Sequence, residues 1–260
     1  MSIITLLTDF GPGKYVAALK GVILSIDPQA KIVDIEHRVS PQGVLEGAFV
    51  LASAVKYFPF AIHVAVVDPG VGTRRRSLVM ECRKGTLVGP DNGLLLPAAR
   101  VLGLRRAFSI DRREYCLPEV SDTFHGRDVF APVAAHLGLG ISPSSVGSRV
   151  KNPVDLDFGV YEVSKEEVRA RILFRDHFGN LVTNLPEQAL PSWISFGKIV
   201  ELEIEENYKL PFLTTYASRD SGEPLLTISS DGFLEIAVNR GDASEILNAE
   251  PGDDFTLKRA

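Results

Sequence analysis

The sequence has little cysteine, no excess of basic residues and no long apolar run, and each shortage excludes a class of protein. Cysteine occurs twice in 260 residues, at Cys82 and Cys116. The two are not spaced as a CxxC pair, so no cysteine-based zinc site is expected. So few cysteines are typical of proteins in a reducing cytoplasm, which is the location we expect.

The charge balance argues against a nucleic-acid partner. Lysine and arginine number 28 against 33 acidic residues, which gives a formal charge of −5. No domain-wide positive charge is therefore present to neutralise phosphates. The apolar runs are too short to cross a membrane, and residues 1–5 lack the basic start of a signal peptide.

Strand and helix patterns alternate in the first part of the chain. Short β-branched runs predict strands, and apolar residues at a period of 3.6 predict helices between them. This alternation is typical of a mostly parallel sheet flanked by helices. The predicted strands are 3–8, 31–35, 61–67, 77–82 and 85–89, and the predicted helices are 15–26, 40–57 (with Ser40 as N-cap), 94–102 and 129–139.

A change in composition divides the chain. Residues 141–159 are rich in Ser, Pro, Gly and Asn and predict a linker. We therefore expect an N-terminal α/β domain at 1–150 and a C-terminal domain at 160–260. The C-terminal strands alternate without a strong helix, which predicts an antiparallel β-barrel. They are 168–174, 198–204, 225–229, 233–238 and 255–258.

One stretch, residues 64–76, concentrates unusual chemistry. A buried strand ends at Asp68-Pro69-Gly70, and three arginines, Arg74–Arg76, follow. Ligands of open α/β sheets bind beyond the carboxyl ends of strands, where Asp68 would lie. A surface turn with a solvated basic edge explains the same residues equally well.

Two further residues of the N-terminal domain are candidates. Asp9 follows the first strand, where it would either accept hydrogen bonds from ribose hydroxyls or cap the next helix. The adjoining Gly11–Lys14 does not match a phosphate-binding loop, because the required flanking glycine and Ser/Thr are missing. His125 precedes a helix and has no second ligand at metal-binding spacing. With Asp68 and Arg75 it would form a set able to activate water.

Two segments of the C-terminal domain stand out. Residues 176–180 (Asp-His-Phe-Gly-Asn) are typical of a hairpin turn. Glu235 interrupts an apolar strand, so it lies either on the solvent face or in contact with a partner.

Taken together, the motifs resemble one family across nearly the whole chain. This is the adenosine-forming S-adenosyl-L-methionine (SAM) hydrolase family, also called SAM hydroxide adenosyltransferases, whose relatives are the fluorinase and chlorinase. The motifs are TDFG (Thr8–Gly11), VVDPGVGTRRR (Val66–Arg76), GPDNG (Gly89–Gly93), TFHGRDVFAPVAA (Thr123–Ala135), DHFGNLVTN (Asp176–Asn184) and SSDGFLEIAVN (Ser229–Asn239).

The resemblance implies a reaction and an assembly. Water displaces methionine from C5′ of the ribose of SAM, giving adenosine and L-methionine, and no cofactor or metal is required. The family also implies a homotrimer with active sites between subunits.

The resemblance further implies roles for particular residues. Asp68, Arg75 and His125 match the water-activating triad. The halogenases have tyrosine at the positions of Asp68 and His125 and serine at that of Gly126, which favours hydroxide over halide as nucleophile. The implied substrate-binding residues are Asp9, Phe124, Gly126, Asp176, Phe178, Asn180, Tyr216, Ser230, Val238 and Arg240.

One departure concerns the methionine carboxylate. Asp231 follows Ser230 where the halogenases have arginine, so that cation is missing. Glu235 is an alternative partner for the methionine amino group. Two other functions stay open: a SAM- or adenosine-binding protein whose hydrolysis is incidental, and a SAM-dependent halogenase.

Overall fold

The computed structural model describes residues 2–260 and divides into two compact units. The first unit ends at Leu156 and the second is Asp157–Ala260. The residues predicted as a linker, 141–159, extend across this boundary. They include a short strand, Arg149–Val150, which pairs within the first unit.

The first unit contains one sheet with helices packed on it. Its strands are β1 (Ile3–Thr8), β2 (Lys31–Glu36), β3 (Ile62–Val66), β4 (Ser77–Cys82), β5 (Gly85–Pro90), β6 (Leu104–Ser109) and β7 (Arg149–Val150). Its helices are α1 (Lys14–Ile26), α2 (Val44–Val55), α3 (Leu96–Leu102) and α4 (Ala131–Gly138). A π-helical turn, Gly126–Phe130, leads directly into α4.

The sheet is mixed, in the order β2-β1-β3-β5-β4-β6-β7. Strands β2, β1, β3 and β5 are parallel neighbours, whereas β4, β6 and β7 join by antiparallel pairing. The tight turn at Arg83–Gly85 reverses the chain and causes this change of direction. The predicted α/β class is confirmed, but the parallel part is limited to four strands.

Two local predictions of the first unit need correction, and the strands at Leu181–Pro186 and Asn207–Pro211 of the second unit were not predicted either. Helix α2 begins at Val44 with Gly43 at its N-cap position, not at Ser40. The carbonyl of Ser40 accepts the Gly43 N–H at 2.8 Å, so these residues close a turn before the helix starts. Strand β6 was not predicted, because its sequence LRRAFS holds two adjacent arginines and shows only a short apolar pattern.

The parallel strands place their carboxyl ends at one edge. In β1 and β3, Leu6 pairs with Val64 and Thr8 with Val66, so Asp9 and Asp68 both follow neighbouring strand ends. These strands are almost entirely buried and carry apolar side chains on both faces, which suits a sheet covered by helices. The edge beyond Thr8 and Val66 is therefore held in place by two buried strands.

The second unit is an antiparallel sheet that nearly closes on itself, as the barrel prediction required. Its path is β12-β11-β15-β9-β10-β14-β13, and a bridge between Phe212 and Leu226 links the two ends. Inward residues such as Leu234 and Ile236 of β14 form its core. The elements are β8 (Glu162–Val163), β9 (Glu167–Arg175), β10 (Leu181–Pro186), β11 (Ile199–Glu203), β12 (Asn207–Pro211), β13 (Pro224–Ile228), β14 (Phe233–Val238), α5 (Ala243–Leu247) and β15 (Asp254–Arg259).

None of the helices within residues 2–260 is both long and apolar enough to cross a membrane.

A histidine is buried inside the sheet of the first unit. His63 of β3 has no exposed surface, and its Nδ1 lies 2.8 Å from Oγ1 of Thr5 on β1. Burial lowers the pKa of His63 from 6.5 to about 4, because the charged ring loses its hydration. His63 is therefore neutral in the folded protein at neutral pH.

Stability should consequently fall in mild acid through His63. The unfolded chain binds a proton at a pKa near 6.5 and the folded chain only near 4, so the contribution is complete above pH 6.5 and is lost as the pH falls toward 4. The difference corresponds to about 3 kcal/mol. In His63→Asn, whose amide can take the place of Nδ1 beside Thr5, the free energy of unfolding should depend less on pH by that amount. Denaturant unfolding of both proteins across this pH range tests it, and parallel pH profiles would contradict it.

Candidate functional site

Arg75 connects three groups at the strand-end edge of the first unit. Its Nε donates to Oδ1 of Asp68 at 2.8 Å, and its Nη2 donates to Oδ2 of the same carboxylate. The same Nη2 lies 2.9 Å from Nδ1 of His125, and Nη1 donates to Oγ of Ser77 at 2.7 Å. The structure thus brings Asp68, Arg75 and His125 into one hydrogen-bonded cluster.

This cluster is shielded from solvent. The side chains of Asp68 and Arg75 are only 5% and 10% exposed. The guanidinium also lies 5.3 Å from the centre of the Phe130 ring, which covers the cation from another direction. A two-point contact between guanidinium and carboxylate fixes both planes, so the position of Asp68 depends directly on Arg75.

The hydrogen bond to Arg75 determines the protonation of His125. Arginine has no acceptor, so Nδ1 of His125 must accept through its lone pair, and the proton of the neutral ring is on Nε2. Burial lowers the pKa of His125, and the neighbouring Arg75 cation lowers it further. The ring is therefore neutral at neutral pH and presents Nε2–H as a donor.

The loop from Asp68 to Arg76 is anchored by buried contacts. Nδ2 of Asn92 donates to the carbonyl of Val67 at 2.8 Å, immediately before Asp68. Asp91, which is buried, accepts from Nε of Arg76 at 2.6 Å. Asp91 and Asn92 of the GPDNG motif therefore hold the loop in place. The same contacts also separate the arginines: Arg75 belongs to the cluster, Arg76 anchors the loop, and Arg74 is exposed.

A glycine allows this loop to approach the segment that carries His125. Gly72 has φ of +77°, and a Cβ there would lie 2.3 Å from the carbonyl oxygen of Asp122. Any side chain would therefore separate the two segments. On the other side, buried Asp128 accepts the Ser121 N–H at 2.9 Å and closes the turn around His125.

An open cleft of about 480 Å³ adjoins the cluster. This volume lies within the range of about 300–1,000 Å³ that is usual for small-molecule sites. Its lining includes Asp9, Phe10, Gln42, Asp68, Phe124 and His125. The cleft thus joins the predicted ribose-binding acid, the predicted triad and the predicted aromatic residue Phe124 within one unit.

Aromatic rings form one wall of the cleft. The rings of Phe10, Tyr15 and Phe124 meet edge to face, with centroids 5.4–6.0 Å apart. Gly126 lies against them, because a Cβ at that position would be 3.3 Å from the Phe10 ring. A side chain at residue 126 would therefore press on the aromatic wall.

Asp9 accepts a hydrogen bond from the chain that follows β2. Its Oδ2 receives the Gln42 N–H at 3.0 Å. Helix α1 begins after Gly13 and has no side-chain cap, so Asp9 does not cap it. Of the two interpretations of Asp9 that the sequence left open, the structure therefore excludes the cap.

The second unit holds a separate group of candidate residues. Tyr216 donates its hydroxyl to Oε2 of Glu235 at 2.7 Å, and Glu235 is 4% exposed. Burial raises the pKa of Glu235, and the nearby carboxylates Asp176 and Asp231 raise it further. Burial and the bond to Glu235 likewise raise the pKa of Tyr216. Glu235 is therefore not on the solvent face.

The turn at 176–180 is the predicted hairpin turn between β9 and β10. The Asp176 carboxylate accepts the backbone N–H groups of Phe178 and Asn180, each at 2.9 Å, and the Asn180 amide at 3.0 Å. Asn180 is buried, whereas the Phe178 ring is 71% exposed. The turn fixes Asp176 while leaving the aromatic ring accessible.

The other predicted residues of this unit have different environments. Ser230 and Arg240 are exposed, and Arg240 has φ of +55°. The Val238 side chain belongs to the barrel core. No hydrogen bond or ion pair joins these three to the Tyr216–Glu235 pair within the described chain, residues 2–260.

Some residues of the first unit's site were not found from the sequence. Ser77 and Phe130 contact Arg75, and Tyr15 and Gln42 line the cleft. Ser77 begins a strand and Phe130 reads as an ordinary core residue, so neither carries a signal. Tyr15 was assigned only to the predicted helix, although its position four residues after the TDFG segment could have indicated the cleft.

No metal-binding cluster of three or more His, Cys, Asp or Glu side chains occurs among residues 2–260.

Comparison with known proteins gives matches in both units. The model of the SAM hydroxide adenosyltransferase N-terminal domain matches residues 4–147, and that of the corresponding C-terminal domain matches residues 170–256. The (R)-S-adenosyl-L-methionine hydrolase of Salinispora tropica is 39% identical over 96% of this chain and 95% of its own.

Two other proteins extend the comparison. The fluorinase of an Actinoplanes species is more distant, with 26% identity over 99% of this chain and 98% of its own. The crystal structure of an uncharacterized conserved protein from Thermotoga maritima is similar with a TM-score of 0.91 and 38% identity. That similarity covers 98% of this chain and 100% of the other.

Proposed function

The chain belongs to the SAM hydroxide adenosyltransferase family, and on that premise we propose that it hydrolyses SAM to adenosine and L-methionine. The observation that carries the proposal is the buried Asp68–Arg75–His125 cluster at the edge of a cleft, in a chain 39% identical to a SAM hydrolase. The family expected from the motifs is confirmed. Since the relative's name specifies the (R) epimer, we propose the same sulfonium configuration for the substrate.

The chemistry requires little beyond a well-placed water. Methionine leaves from the sulfonium as a neutral thioether, with the electron pair of the C5′–S bond, so the leaving group needs no acid. The water oxygen forms the new bond to C5′, and one proton is released for each SAM consumed. Alignment of water with the C5′–S bond can contribute about 7–11 kcal/mol.

The hydrogen bonds favour Asp68 as the acceptor of that proton. Nδ1 of His125 is occupied by Arg75, and Nε2 already carries the ring proton. The Asp68 carboxylate keeps lone pairs free beside its two bonds to Arg75. In our proposal Asp68 therefore polarises the water, His125 donates from Nε2 to the water oxygen, and Arg75 fixes both.

The remaining residues are proposed to bind substrate. Asp9 would accept hydrogen bonds from the ribose hydroxyls, and the aromatic wall would lie near the sulfonium, a contact worth about 0.5–2 kcal/mol. The acidic group of the second unit would bind the cationic amino group, with Asp176 and Glu235 as its partners. The roles of Phe178, Asn180, Tyr216, Ser230, Val238 and Arg240 are proposed from the family resemblance.

The alternatives differ in their products. A halogenase would form a 5′-halogenated adenosine, but Asp68 and His125 stand where the halogenases have tyrosine, and Gly126 stands where they have serine. A binding protein would hold adenosine tightly with negligible turnover. The buried, preorganised cluster favours hydrolysis over both.

The wild-type protein should convert SAM to equal amounts of adenosine and methionine, faster from the (R) than from the (S) epimer. In water enriched in ¹⁸O, the label should enter O5′ of adenosine, because water attacks C5′. Chromatography with mass spectrometry measures both, with protein-free SAM as control. Folded protein that yields no adenosine, or unlabelled adenosine, would overturn the proposal, and 5′-haloadenosine formed with added halide would favour the halogenase.

Removing the Arg75 or the His125 side chain should slow turnover far more than it weakens adenosine binding. His125 contacts the attacking water and Arg75 fixes the two groups that contact it, and loss of such a group typically costs about 10²–10⁴-fold in rate. Steady-state kinetics and calorimetry of Arg75→Ala and His125→Ala measure the two effects. Exposed Arg74 supplies the matched control, since Arg74→Ala removes the same charge one residue away. If binding and turnover fall together, the assignment of the triad is wrong.

A homotrimer and a cytoplasmic location also remain proposals. The first is supported by the family resemblance and the second by two unpaired cysteines, Cys82 and Cys116. Light scattering of the purified protein should give three times the chain mass, and a monomeric mass at micromolar concentration would rule out a stable trimer.

A further inference from the structure

We propose that His37, acting through Thr8, positions the turn that carries Asp9 and Phe10 in the cleft. The proposal rests on the proposed function, because it treats Asp9 as the ribose-binding acid. Neither His37 nor Thr8 lines the cleft. They are positioning residues that set the affinity for the nucleoside.

The two side chains meet at the end of the parallel strands. Oγ1 of Thr8, the last residue of β1, lies 2.9 Å from Nδ1 of His37, which directly follows β2. Thr8 is fully buried and His37 is 9% exposed. The same Oγ1 accepts the backbone N–H of Phe10 at 3.3 Å. The hydroxyl therefore links the His37 ring to the backbone of the turn.

His37 holds the turn at a second point. Its carbonyl accepts the backbone N–H of Gly11 at 2.7 Å. The side chain of His37 thus acts on Phe10 through Thr8, while its main chain holds Gly11. Asp9 and Phe10 lie between these contacts, and both line the cleft.

The His37 ring has one further polar contact. Its Nε2 lies 3.1 Å from Oδ1 of Asp34, without the alignment of a directed hydrogen bond. Lys20 donates to the other oxygen of that carboxylate at 2.6 Å. The Asp34 charge beside Nε2 favours the tautomer with the ring proton on Nε2, which leaves Nδ1 to accept the hydroxyl proton of Thr8. The hydroxyl of Thr8 can then donate to the ring and accept from Phe10 at the same time.

The same strand contains a similar pair that has no contact with the cleft. Oγ1 of Thr5, also in β1, lies 2.8 Å from Nδ1 of His63, and both residues are fully buried. Thr5 lies in the middle of the strand, and neither it nor His63 lines the cleft. The two Thr–His pairs therefore offer matched substitutions, one beside the cleft and one away from it.

The test compares Thr8→Val with Thr5→Val. Each removes one buried hydroxyl from β1 while keeping a β-branched side chain, so both should lower the free energy of unfolding. Only Thr8→Val should raise the adenosine dissociation constant and the KM for SAM, by about tenfold, since the turn loses a buried hydrogen bond. The kcat of Thr8→Val at saturating SAM should stay within about twofold of wild type, and Thr8→Ser should restore wild-type affinity.

Calorimetry with adenosine and steady-state kinetics with SAM provide the measurements. Should Thr8→Val fold poorly, His37→Gln breaks the same link from the other side and should also weaken adenosine binding. Equal affinities in Thr8→Val and Thr5→Val, failure of Thr8→Ser to restore binding, or a loss of kcat at unchanged affinity would overturn the inference. Adenosine binding needs no turnover, so failure of the hydrolase proposal would appear separately, as a wild-type protein that forms no adenosine.

Discussion

The guanidinium of Arg75 is the contact on which the rest of the site depends. It holds the Asp68 carboxylate at two points and reaches Nδ1 of His125 with the same nitrogen that bonds Asp68. Removing one partner of a buried ion pair typically costs about 3–5 kcal/mol, because a charge is left without compensation. The cation therefore stabilises the loop, fixes the carboxylate and selects the tautomer of His125 at once.

The fold supplies this contact through its parallel strands. Adjacent strands β1 and β3 end at one edge, so Asp9 and Asp68 come together although 58 residues lie between them in the sequence. Buried groups behind the edge then keep the loops in place. Asn92 holds the carbonyl of Val67, and His37 holds the turn after Thr8. Polar groups at the rim of the sheet thus position the residues that face the cleft.

The second unit contains a buried carboxyl group, that of Glu235, in place of a buried ion pair. Glu235 lies on a barrel strand but on the face opposite the apolar core, where Tyr216 covers it. A buried carboxyl near other carboxylates favours its protonated form, or else the arrival of a cation that offsets the charge. A substrate ammonium group would be such a cation. In the proposed function, this acidic group would recognise the amino end of methionine, and the carboxylate would be bound without the arginine that the halogenases have at residue 231.

The sequence by itself determined the alternation of strands and helices up to β5, the two classes of sheet and the family, since apolar periodicity and motifs such as Val66–Arg76 are local signals. It did not determine the direction of β4, β6 and β7, because a hairpin reverses the chain without changing the strand pattern. It could not separate Arg75 from Arg74 and Arg76 on local grounds, or show that Ser77 completes the site. Only the tertiary structure decided these points, because they depend on which side chains meet when distant strand ends share one edge.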